Sequence, residues 1–213
     1  MNWEHAILWY VTFLVSVTVH EAAHALFALL GGDRTAYRTG QVSLNPVPHI
    51  RQEPIGMVAL PLLSLYVNGG NWCFGFARTP YDPIWAYHHP RKAALMSAAG
   101  PIANVVVAAI AFAVLWFVGR PESDTTEAVR RIAGTFLVLN LILALFNCIP
   151  LPPLDGAGVM KGLGPSARKT FEAIEGLPWI TIVTFVVASN ILPYLFWPVF
   201  DSVNGWLPYP YRP

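Results

Sequence analysis

Charge is what this sequence has least of. In 213 residues, Asp, Glu, Lys and Arg make up 12%, against roughly 25% in soluble domains, while hydrophobic residues reach 55%. So little charge cannot cover a soluble globule of this size. It also excludes a disordered chain, which would be polar and charge-rich. A net charge of +1 gives no electrostatic footprint for nucleic acid. Two cysteines, Cys73 and Cys148, are too few for a disulfide framework, and their apolar neighbours predict small buried thiols. What remains is a chain that uses lipid as part of its solvent, an all-α polytopic membrane protein forming one domain over 1–213. Proline alone is in surplus: 19 residues, nearly twice the usual share of about 5%.

Four apolar stretches predict spans, at about 6–30, 93–118, 132–150 and 178–200, the last interrupted by Pro193 and Pro198. The first reads as a span and not a cleaved signal peptide, because Met1-Asn-Trp-Glu-His lacks a basic flank. Residues 54–76 are too short an apolar stretch to cross, contain Pro61, and break at Asn68-Gly69-Gly70; they predict a re-entrant segment. Residues 34–50 predict a small β element, with Gln41-Val42-Ser43-Leu44 as its strand. With four spans, nine Lys/Arg fall in loops 31–92 and 156–177 and four fall on the other side. With five spans the split is six against seven, which carries no signal. The positive-inside rule therefore favours four spans, with the amino terminus outside and the 31–92 loop in the cytoplasm. A bacterial cytoplasmic membrane is the expected location.

Inside the first span lies His20-Glu21-Ala22-Ala23-His24. Residues four apart share a helix face, so the two imidazoles can hold one metal ion, with Glu21 beside them to take a proton from its water. Two histidines and an acid buried mid-span are costly in lipid, and this marks them as functional. A catalytic zinc keeps three protein ligands, so one is missing. After the third span comes Asn147-Cys-Ile-Pro-Leu-Pro-Pro-Leu-Asp155-Gly156, whose prolines force a non-helical chain. Asp155 at its end is either the third ligand or part of an ordinary Pro-Leu-Asp-Gly turn. Parity bears on the choice: with four spans Asp155 meets the histidines at one depth, and with five it emerges about 30 Å away.

The chain resembles the site-2 protease family of intramembrane zinc metalloproteases. The likeness rests on His20-Glu21-Ala-Ala-His24, on Ala99-Gly100-Pro101-Ile-Ala-Asn104, and on Asn147 through Gly156, in the family's order over about residues 6–160. Ser43 to Ile50 and Gly75-Phe76-Ala77-Arg78 look like the compact subgroup, without PDZ or CBS modules. The resemblance implies one zinc ion bound by His20, His24 and Asp155, with Glu21 as general base. The reaction would be peptide hydrolysis in or near transmembrane segments, with the active site near the cytoplasmic side. His49, Asn104 and Asn147 are candidates for holding substrate or the developing oxyanion; each has an ordinary structural alternative as a satisfied buried polar group. A substrate peptide would add to the edge of the 34–50 sheet. Expected partners are a membrane-protein substrate and the lipid bilayer, with a homo-oligomer or a regulatory membrane partner left open. Two rivals stand beside this reading: a pseudoprotease that binds membrane helices without cutting, and a metal-ion transporter. The intact motif residues oppose the first, and the lack of ionisable residues inside the other three spans opposes the second.

Overall fold

The computed structural model describes residues 2–212. Four of its helices are long and apolar enough to cross a membrane: α1 (Trp3–Gly31), α6 (Pro90–Val118), α7 (Asp124–Cys148) and α10 (Ile180–Gly205). Between α1 and α6 come α2 (Thr35–Arg38), α3 (Pro46–Gln52), a π-helical turn at Ile55–Ala59 that runs into α4 (Leu60–Val67), and α5 (Pro83–His88). Between α7 and α10 come α8 (Asp155–Lys161) and α9 (Pro165–Glu175). The chain is a helical, multi-pass membrane protein.

Local chemistry sets the helix ends. Asn2 accepts from His5 N at 3.2 Å to open α1, and Gly32, at φ 107°, closes it. α7 starts well before the apolar run at Ile132, because Ser123 and Thr126 cap each other's backbone N–H groups. α10 runs unbroken through Pro193 and Pro198, where an interruption was expected. Prolines are tolerated inside membrane helices when the surroundings satisfy the freed backbone groups.

Two further expectations are corrected. The β element at 34–50 does not form: among the described residues there is no strand, and Val42–Leu44 is a run of bends. The reason lies in the flanking residues. Asn45 accepts from Val47 N at 3.0 Å and Pro46 occupies the first turn of α3, so this stretch ends as a helix cap. Cys148, expected to be buried, is exposed at the last position of α7, whereas Cys73 is buried.

α1 and α7 lie innermost, while α6 and α10 show most of their surface to the surroundings. Small residues, Ala108 and Ala111 on α6 with Ala133 and Ala144 on α7, are buried where helices meet, as close packing in lipid requires. Phe196 and Phe200 of α10 complete that core beside Leu115 and Leu137. Residues 55–67 form a shorter apolar helix than these four. The chain turns at Asn68-Gly69-Gly70 and comes back until Phe76 N donates to Gly56 O at 3.0 Å. At one end of the bundle, Lys92 Nζ and Trp85 Nε1 donate to Gly31 O at 3.0 and 3.2 Å, joining the end of α1 to α5 and the start of α6. Thr184 Oγ1 donates to Pro152 O at 2.5 Å and brings the segment after α7 to the start of α10. Arg130 closes the opposite end by donating to Gly119 O and Tyr209 O. Successive spans therefore run in alternating directions, and the segments after α1 and after α7 share one end.

Candidate metal centre

α1 places His20 and His24 one turn apart, both buried, with ring centroids 4.6 Å apart. Their Nε2 atoms approach to 3.0 Å. α6 passes very close to them, and the rings have room because Gly100 carries no side chain. A Cβ on Gly100 would lie 2.4 Å from His24 Nε2 and 2.5 Å from His20 Nε2, so only glycine fits.

The third group comes from beyond α7. Pro150, Pro152 and Pro153 lack backbone donors, so the helix stops at Cys148 and the chain runs on through turns to Asp155, the first residue of α8. Gly156 allows α8 to fold back onto the end of α7, since a Cβ there would lie 2.5 Å from Ile149 O. Asp155 Oδ2 then lies 3.0 Å from His20 Nε2, and Oδ1 lies 3.3 Å from His24 Nε2. One ligand atom from each of the three residues falls within 4.8 Å of the others.

Which ring nitrogens carry protons follows from the other side of each ring. His24 Nδ1 lies 2.7 Å from Met96 O, and His20 Nδ1 lies 2.6 Å from Asn104 Oδ1. Met96 O is a backbone carbonyl and only accepts, so His24 Nδ1 donates; with Asn104 turned oxygen-first, His20 Nδ1 donates as well, and each ring, when neutral, presents an Nε2 lone pair. Two lone pairs and a carboxylate therefore converge. Among the described residues Asp155 Oδ2 has no hydrogen-bond donor of its own. The donor set fits a divalent cation such as zinc: nitrogen and oxygen ligands, each histidine braced by its other nitrogen.

Glu21 is buried beside the histidines and lines the same cavity. Thr79, on the limb returning from α4, donates through Oγ1 to Glu21 Oε2 at 2.7 Å and also lies 2.9 Å from Glu21 O. The cavity, about 900 Å³, is walled by α1, the limb 72–79, the end of α7 and the first half of α10. Phe185 of α10 packs edge-on against Phe74 at 5.0 Å across it.

The three remaining candidates are placed differently. Asn147 lines the cavity, with Nδ2 donating to Leu143 O at 3.0 Å. Asn104 is fully buried, with Oδ1 on His20 and Nδ2 donating to Asn140 Oδ1 at 2.8 Å. His49 is buried away from the cavity lining, its Nε2 on Ser43 O at 3.0 Å, where it ties α3 to the preceding bends. Neither Thr79 nor the Met96 carbonyl could be anticipated from the residues alone. A threonine in an irregular limb has no periodicity to mark it, and a backbone carbonyl has no residue identity at all.

No protein-family model matches the chain, and no solved structure does. Among curated proteins, "Putative zinc metalloprotease YwhC" of Bacillus subtilis (strain 168) is 31% identical over 198 residues, 90% of this chain and 85% of that protein. The chain belongs to this zinc metalloprotease family. "Putative zinc metalloprotease Rip2" of Mycolicibacterium smegmatis is 27% identical over 205 residues, 92% of this chain and 74% of its own length. An archaeal relative, "Putative zinc metalloprotease MJ0611" of Methanocaldococcus jannaschii, is 32% identical over 102 residues, 47% of this chain and 48% of its own. These relatives are consistent with the site-2 protease type that the motifs resemble.

Proposed function

We propose that this protein is an intramembrane zinc endopeptidase of the site-2 protease type, which hydrolyses peptide bonds in or near the transmembrane segments of other membrane proteins. The observation that carries the reading is the meeting of two Nε2 lone pairs with the Asp155 carboxylate, beside Glu21, within apolar helices. Buried ionisable groups are too costly in lipid to persist without a use.

His20, His24 and Asp155 would hold the zinc ion. Bound zinc would lower the pKa of its water to about 7 and polarise the scissile carbonyl. Glu21 would accept a proton on its carboxylate and pass it to the leaving amine. The Thr79 hydroxyl holds that carboxylate by a 2.7 Å hydrogen bond, which restricts its rotation toward the cavity wall. Asn147, which lines the cavity, would donate its second amide hydrogen to a substrate carbonyl. The limb 72–79 would lie along an unwound substrate, and the apolar half of α10 would face it from the other side. The nine-to-four distribution of basic residues supports a site near the cytoplasmic face.

The test is cleavage of a transmembrane test peptide in vesicles by the purified protein and by Glu21→Gln. The variant should keep its zinc and lose activity by at least about a hundredfold, the lower end for a general base. A Glu21→Gln protein that cuts as fast as the parent rules the mechanism out.

A further inference from the structure

The hydrogen bond on His20 is one end of a longer line, and the line has a direction. Asn140 Nδ2 donates to Phe136 O and to Ser16 Oγ, both at 2.9 Å. Asn140 Oδ1 accepts from Asn104 Nδ2 at 2.8 Å, and Asn104 Oδ1 faces His20 Nδ1 at 2.6 Å. Ser16, Asn104 and Asn140 are each 0% exposed, so no water corrects a wrong orientation. An amide can be turned end for end at little steric cost, which exchanges its donor for its acceptor. Phe136 O cannot be turned. It is a helix carbonyl and only accepts, so the Asn140 amide must put nitrogen toward it and oxygen toward Asn104. Asn104 must then put nitrogen toward Asn140 and oxygen toward His20. His20 must in turn carry its proton on Nδ1 and leave Nε2 bare.

We propose that Asn140 is a positioning residue that fixes, through Asn104, the tautomer in which His20 presents an Nε2 lone pair to the metal. It rests on the metal reading of His20 given above. Without an acceptor at position 140, the Asn104 amide is free to turn and offer Nδ2 to His20. The ring then takes its proton on Nε2, where the metal needs a lone pair. Ser16 has a lesser part: it accepts a second Asn140 hydrogen, but Phe136 O alone already sets the direction. His24 needs no such line, because Met96 O fixes its tautomer directly at 2.7 Å.

The test is nitrogen-15 NMR of histidine-labelled, metal-free full-length protein in bilayers, at a pH where imidazole is neutral. The His20 signal is identified by its loss in His20→Ala. The unmodified protein should show His20 protonated at Nδ1 alone. Asn140→Leu should show both tautomers, with zinc affinity, measured by chelator competition, lowered about tenfold, the mild end for an outer partner of a metal-bound histidine. Ser16→Ala should keep the single tautomer and bind zinc within about twofold of the parent, because the Phe136 carbonyl remains. A His20 proton on Nε2 or a mixture in the unmodified protein overturns the proposal, and that result needs no variant to fold. So does an Asn140→Leu protein with tautomer and affinity unchanged. A protein that shows the Nδ1 tautomer yet cuts no peptide would count against the protease reading and leave this one standing.

Discussion

Toward each end of the bundle lies a buried polar cluster, and the two are assembled in opposite ways. At the end away from the cavity, Arg130 sets guanidinium donors against carbonyls: Gly119 O, Tyr209 O at 2.9 Å and Pro210 O at 3.4 Å, with the Tyr209 ring 4.8 Å away. Donors face acceptors, and the result is a clasp holding the α6–α7 turn to the tail after α10. Around Asp155 the balance is lost: with both rings neutral, two imidazole lone pairs and a carboxylate face one another without a donor between them. Burying acceptors against acceptors is unfavourable by several kcal/mol unless a cation joins them. A matched cluster serves the fold, and a mismatched one is a place where something binds.

The comparison can be broken or sharpened by treating both ends alike. The largest effect belongs to Asp155→Ala: zinc binding and peptide cleavage should be lost outright, while the thermal midpoint of the metal-free protein stays level or rises. A fall in that midpoint would mean that Asp155 is structural. Gly100→Ala comes next. Its methyl would lie 2.4–2.6 Å from atoms of the His24 and His20 rings, so the rings must separate, and zinc affinity should fall about a hundredfold in a chelator titration. Arg130→Met should do the reverse. It strands buried carbonyls and costs about 2–4 kcal/mol in unfolding, with zinc content and cleavage per folded molecule unchanged.

The smallest effect concerns Asp33, outside both clusters, where α1 ends. Burial would push this carboxyl up. Hydrogen bonds from the Thr35 hydroxyl and from the Asp82 and Thr35 N–H groups, with Arg38 nearby, hold it below the ordinary carboxylate range. A carboxyl lowered by folding stabilises the fold above its ordinary pKa of about 3.9, and that part is lost as pH falls through the lowered value. Asp33→Asn should therefore lose some stability at neutral pH and show a flatter acid limb in thermal unfolding. An acid limb identical to the parent's would show that Asp33 contributes nothing there.

What could be read from the sequence was whatever is set by a short stretch of chain. His20-Glu21-Ala-Ala-His24 states its own geometry, because a helix alone puts residues four apart on one face. Long apolar runs announce four spans, and the odd or even count of crossings places Asp155 at the histidine end. What could not be read depends on partners distant in the chain. Thr79 reaches Glu21 across 58 positions, and Asn140 reaches Ser16 across 124. No local pattern encodes either. The strand expected at Gln41–Leu44 failed for the same reason in reverse: a strand needs a neighbour to pair with, and Asn45-Pro46 was already spelling a helix start. Cys148 depended on register, since one step around α7 separates a buried face from an exposed one.

Elemental analysis of the purified full-length protein, beside Asp155→Ala, tests the central claim most directly. The unmodified protein should carry about one zinc per chain and the variant none. A parent that purifies without zinc and takes up none on titration would contradict it, as would a variant that still holds one equivalent.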